Sequence, residues 1–317
     1  MAGSLDLAVD DDPIFDEELL ARLRQLVLLT RRAVAQGIAG EHKSRRKGAS
    51  PEFSDFKSYA QGDDYRRIDW NIYSRLDSLF VRLSEVTTEL TVHVLIDASD
   101  SMNWKGSSET ISKFAYARRL AGSLAYVSLW HFDRIVITPF SADLGPAFGP
   151  VQGRAQVQPA LGYLTSLRPG GTTDLPRCVR RYTSRKHHPG VILLISDLLS
   201  EDAESLRAAL RYARNHGWAL SIVHVVDPAE ISPRPVVLPM GEDRPMTIEL
   251  IDLEGRDRIR LTASDELLDR YGQAVERWRA TIEQVCIDEG ADYIFLRTDW
   301  SFEQIVLRRL YEAGVVG

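Results

Sequence analysis

Residues 91–101 read TVHVLIDASDS, and the break inside that run decides the fold. Thr91 to Ile96 is β-branched and aliphatic almost throughout, the mark of a strand buried on both faces, and the run then stops on Asp97-Ala98-Ser99-Asp100-Ser101. Similar runs recur as RIVITPF (134–140), VILLIS (191–196), LSIVHVV (220–226) and DYIFLR (292–297). Helical patterns lie between them at about 110–130, 155–166, 174–186, 203–216 and 264–289. Strand and helix alternating at this spacing predict an α/β protein, with a doubly wound, mostly parallel sheet and helices on both faces. The last helix carries its own signals: Ser264 as cap, Asp265 and Glu266 in the first turn, and Gly290 at the end. Leu267, Leu268, Tyr271, Val275, Trp278, Ile282 and Val285 form its apolar stripe, with Cys286 beside them as inert core.

Working outward, one segment breaks the rhythm. Prolines crowd 228–245, and MTIELID and RDRIRLT follow, separated by Leu253, Glu254 and Gly255, which predicts a β-hairpin inserted at 228–262. Upstream, residues 1–12 read as a solvated tail. Residues 13–87 read as an amphipathic helix ending near Gly37, then a basic loop (Lys43, Arg45, Arg46, Lys47), a turn at Gly62-Asp63 and a strand at Leu79–Leu83. Asp63, Asp64, Arg66, Arg67 and Asp69 read as a capped turn with surface ion pairs, and Trp70 as core packing. Residues 88–317 form the α/β domain.

The chain has 317 residues, 44% hydrophobic and 26% charged, which is ordinary globular usage and argues against a collagen-like, coiled-coil or disordered chain. Its net charge is −6, which disfavours nucleic acid as a partner. The two cysteines, Cys178 and Cys286, make neither a zinc cluster nor a disulfide framework and suit a reducing compartment. No apolar run approaches the roughly 20 residues of a membrane helix. The N-terminus, MAGSLDLAVDDDPIFDEELL, is acidic where a signal peptide would be basic and then apolar, so a cytoplasmic location is expected.

Ligands of open parallel sheets bind beyond the carboxyl ends of the strands. There Asp97, Ser99 and Ser101 follow one strand and Asp197 follows another, while Gly170-Gly171-Thr172-Thr173-Asp174 offers a glycine turn with hydroxyls. All these donors are hard oxygens, a set that selects Mg²⁺, Mn²⁺ or Ca²⁺ over zinc or copper. Ser99, Ser101 and Thr173 can supply neutral oxygens, with Asp97 and Asp197 binding directly or through water. At least one position then stays open for a carboxylate from another molecule.

Asp97-x-Ser99-x-Ser101, the later threonine and the strand-end Asp197 resemble the metal-ion-dependent adhesion site of von Willebrand factor A domains. GDDYRRIDW (62–70), DASDSM (97–102), GGTTDL (170–175), LISDLL (194–199) and VHVVDPAE (223–230) together resemble the bacterial family called domain of unknown function 58, over about residues 40–300. Thr173-Asp174-Leu175 matches that family's Thr-Asn/Asp-Leu, with Thr172 one residue away. The resemblance implies a von Willebrand factor A-like sheet with the metal at its top, and a binding role in place of catalysis. It also implies a partner of the MoxR-type AAA+ ATPase class, for which the chain would be adaptor or co-chaperone.

Each of these readings has a plainer rival. A lone DxSxS turn often only caps a helix. His187 and His188 read as a solvated loop and His224 as a core histidine, while Arg177, Arg180, Arg181, Arg185 and Lys186 read as a charged outer helix face. A metal-dependent hydrolase at the same strand ends is the alternative function, but neither serine has a base evident in sequence, and there is no GxxxxGK[ST] phosphate loop.

Overall fold

The computed structural model describes residues 53–59, 68, 70–76, 78–84, 91–106, 111–131, 133–184, 190–199, 202–233, 246–254 and 258–300, with Phe15, Leu19 and Ala21. Most of the expected N-terminal helix, the basic loop at 43–47, the turn at Gly62-Asp63 with Asp64, Arg66, Arg67 and Asp69, and Arg185, Lys186, His187 and His188 lie outside the described residues.

The chain divides into two units, residues 41–89 and residues 1–40 with 90–317. In the smaller one, β1 (Phe53–Ser58) pairs antiparallel with β2 (Phe80–Ser84), and α1 (Trp70–Leu76) lies between them in sequence. Trp70 corrects the expectation of core packing: it is 64% exposed and meets the Tyr73 ring edge-on, one helical turn away.

The larger unit is built on a six-stranded sheet. Its strands are β3 (Thr91–Asp97), β4 (Arg134–Phe140), β5 (Phe148–Gln152), β6 (Val191–Ser196), β7 (Ala219–Val226) and β10 (Asp292–Arg297). Their spatial order is β10-β7-β6-β3-β4-β5. All neighbours are parallel except β4 and β5. The segment missed in sequence, β5, is this antiparallel edge strand. Its residues FGPVQ contain Gly149 and Pro150 and are partly or fully exposed, so neither propensity nor an apolar run marks it.

Burial of both faces explains the apolar strands. In β3, Val94 and Ile96 enter one core cluster and Leu95 the other; in β6, Leu193 and Ile195 oppose Ile192 and Leu194 in the same way. The first face is covered by α2 (Lys113–Trp130) and α3 (Val157–Ser166), with Phe15 and Leu19 packed there too. On the second face lie α4 (Leu175–Ser184), α5 (Ala203–Asn215) and the C-terminal half of α6 (Asp265–Asp288). Each fully buried leucine contributes about 1.5–3 kcal/mol of transfer free energy.

Helix ends follow their caps. Ser112 Oγ accepts from Ala115 N–H, Asp202 from Glu204 and Ser205 N–H, and Ser264 from Leu267 N–H. Gly290, at φ +70°, supplies the left-handed residue that ends α6. Along α6, Leu268 near the start and Ile282, Val285 and Cys286 toward the C-terminus are buried, while Leu267 and Tyr271 are exposed. The predicted hairpin forms as β8 (Met246–Ile251) paired with β9 (Arg258–Ala263), a separate two-stranded sheet. Among the described residues, no helix is long and apolar enough to cross a membrane.

Candidate metal centre

Strand order reverses between β3 and β6, since the chain runs from β3 outward through β4 and β5 and returns to β6 on the other side of β3. Asp97 ends β3 and Asp197 follows β6, so both carboxylates stand where loops part and leave a crevice. The glycine loop is tied into the same corner: Gly170 N–H donates to Ala98 O at 2.7 Å, and Asp100 N–H to Gly171 O at 2.9 Å. Gly171 sits at φ +88°, a conformation that side chains resist, and this turn brings Thr173 inward. Thr172 is exposed and Thr173 half-buried.

All five expected residues meet in one contact network. Asp97 Oδ1 accepts from Ser99 N–H at 3.0 Å and from the Thr173 hydroxyl at 3.5 Å. The hydroxyls of Ser99 and Ser101 are 3.0 Å apart, and the Ser101 hydroxyl also bonds the Asp197 carboxyl. Asp97, Ser99, Ser101 and Asp197 are buried. Asp100 is exposed, and Asp174 turns away to cap α4 by accepting from Arg177 N–H at 3.0 Å.

Four residues not foreseen in the sequence complete the corner. The Ser196 hydroxyl donates to Asp97 Oδ2 at 2.6 Å. The Lys113 ammonium, from the first turn of α2, donates to Asp197 Oδ2 at 2.7 Å and also to Glu230. The fourth is Glu254, at the hairpin turn: its Oε2 accepts from Thr173 N–H at 2.9 Å and its Oε1 from the Thr173 hydroxyl at 3.2 Å. Lys113 and Glu254 lie 84 and 81 residues from their partners, and no local pattern links them.

The electrostatics divide the two aspartates. Burial and the neighbouring Asp197 charge push the Asp97 carboxyl up to about 7. Burial would raise Asp197 as well, but the Lys113 ammonium outweighs it and holds that carboxyl below its usual range. Lys113 itself is raised, because Asp197 and Glu230 overcome the cost of burying its charge. Leu198, between these partners, is held at φ +56°, a left-handed conformation uncommon outside glycine that costs on the order of 1–3 kcal/mol. Its N–H bonds Ser196 Oγ, and the next N–H, of Leu199, bonds Asp197 Oδ1.

The donor set fits a hard dication. Six oxygens about 2.1 Å from magnesium are separated by about 3 Å from their nearest neighbours, which is the spacing of the Ser99 and Ser101 hydroxyls. Asp97 accepts hydrogen bonds only from neutral groups among the described residues. Asp197 differs, since Lys113 and Leu199 already engage both its oxygens, which suits a water-bridged place better than a direct one. No cluster of three or more His, Cys, Asp or Glu side chains suited to a metal occurs among the described residues, so any metal here relies on hydroxyls. His93 and His224 are each buried and bonded through Nδ1 to a tyrosine hydroxyl, Tyr182 and Tyr293, and His224 lies beside Asp197, where burial pushes its imidazole down to about 3.

With this geometry in view, comparison with known proteins places the chain. Residues 55–279 match the family described as Protein of unknown function DUF58. The chain belongs to this family. Relatives include the uncharacterized protein Rv1480 of Mycobacterium tuberculosis and Mb1516 of Mycobacterium bovis, each 24% identical over 289 residues that cover 90% of this chain and 87% of the relative. Among solved structures, the SpRpn10 VWA domain is similar at TM-score 0.42 and 10% identity, over 73% of this chain and 100% of that one. Manganese-loaded TRAP protein of Plasmodium vivax is similar at TM-score 0.32 and 15% identity, over 43% of this chain and 56% of that one.

Proposed function

We propose that this DUF58 chain is a non-enzymatic protein-interaction module. It holds one divalent cation, Mg²⁺ with Mn²⁺ or Ca²⁺ as substitutes, on Asp97, Ser99, Ser101, Thr173 and Asp197, and captures an acidic group of a partner. The observation that carries this reading is the 3.0 Å separation of the Ser99 and Ser101 hydroxyls beside a buried Asp97. When bound, the cation supplies a Lewis-acidic centre that attracts a carboxylate. Ser99 N–H and the Ser196 hydroxyl fix the Asp97 carboxyl. Ser99, Ser101 and Thr173 offer neutral oxygens and so leave positive charge for an outside acid. Lys113 anchors Asp197. The partner proposed is a MoxR-type AAA+ ATPase or its client, in the cytoplasm, with this chain as adaptor.

Calorimetric titration with Mg²⁺ and Mn²⁺ tests the site. Wild type should bind, and Asp97→Ala and Ser99→Ala should bind at least about tenfold more weakly. Identical heats from all three would remove the assignment. For the partner, a purified MoxR-type ATPase should be retained in Mg²⁺ and released by EDTA.

One observation favours a second reading. Lys113 already brings a positive charge to Asp197, so the corner could be a metal-free cluster neutralised by its own lysine. In that case wild type would take up neither cation, and the same titration separates the two.

A further inference from the structure

We infer that Glu254 is a built-in acidic ligand of this corner, occupying from within the chain the place a partner's carboxylate would take. The inference rests on the proposed binding role and adds its regulation.

The hairpin turn aims the side chain. Asp252 Oδ1 accepts from Glu254 N–H at 2.9 Å, a turn that fixes the backbone just where the glutamate leaves it. Both carboxylate oxygens of Glu254 then land on Thr173, one on its N–H and one on its hydroxyl. That hydroxyl is the one that also reaches Asp97 Oδ1. A carboxylate arriving from another protein would need the same open side of Thr173. Among the described residues, β8 and β9 pair only with each other, Leu250 and Ile259 are exposed, and Glu249 is satisfied by Arg258 and Arg260. A group tethered by a short turn acts at high effective concentration, so it wins against a dilute competitor without high intrinsic affinity. A partner must therefore displace Glu254 before it docks.

The test uses the full chain in saturating Mg²⁺ with a fluorescently labelled deca-glutamate peptide as probe, read by anisotropy. Glu254→Gln keeps the size of the side chain and removes its charge. It should bind the peptide about tenfold more tightly than wild type, the scale of one net charge-assisted hydrogen bond. Glu249→Gln, on the same hairpin, should bind as wild type does, which excludes a general effect of lost negative charge. Equal affinity of Glu254→Gln and wild type, or no binding by either, overturns the inference. Calorimetry with Mg²⁺ on the same samples identifies which reading has failed: heat without a Glu254 effect removes only the internal ligand, and absence of heat removes the metal site together with it.

Discussion

Lys113 and Asp197, 84 residues apart, meet as a buried ion pair with the ammonium 2.7 Å from Oδ2. Such a pair adds little over an apolar substitute, but it is costly to break by halves, because the remaining charge keeps its desolvation penalty. Lys113→Met should therefore destabilise the fold by about 3–5 kcal/mol. Urea denaturation of Lys113→Met, Asp197→Asn and the double variant measures this. The double variant should lose less than the two singles added together.

Thr173 and Thr172 offer a controlled comparison. Thr173→Val removes the hydroxyl that faces Asp97 and should weaken Mg²⁺ binding by about tenfold, whereas Thr172→Val alters an exposed side chain and should leave it unchanged. Equal affinities for the two variants would exclude Thr173 as a ligand.

Asp133 gives a pH signature away from the corner. Burial raises its carboxyl from 3.8 to about 6. A raised carboxyl means the folded state resists ionisation, so this residue's contribution is most favourable below about 3.8 and is lost as pH rises through about 6. Asp133→Asn should match wild type in acid and surpass it at neutral pH. A difference in urea midpoint that does not change across that window would contradict the assignment.

The two thiols test the core. Burial pushes both Cys178 and Cys286 up to about 12, so neither presents a thiolate at neutral pH. Dithionitrobenzoate should release colour from neither in the native chain and from both in guanidinium. Rapid labelling of the native protein would show that one of the helices α4 or α6 opens readily.

The parallel strands were readable because burial on both faces leaves an uninterrupted apolar run, as at Val191–Ser196. The corner was readable where its carboxylates sit at strand ends, since Asp97 and Asp197 are placed by the backbone itself. Edge strand β5 was not, because half its environment is solvent. Lys113, Glu230 and Glu254 were not legible either, for their roles come from helix packing and a hairpin's reach over long sequence separations. Trp70 shows the complementary limit, where a large apolar residue lies on the surface.

The hairpin that carries Glu254 lends no strand to the six-stranded sheet. Substitution at its tip therefore changes what Thr173 meets while the register of β3 and β6 stays intact. Selectivity and foldability are thus separately adjustable in this molecule: an engineer can retune the gatekeeping residue without rebuilding the platform beneath it.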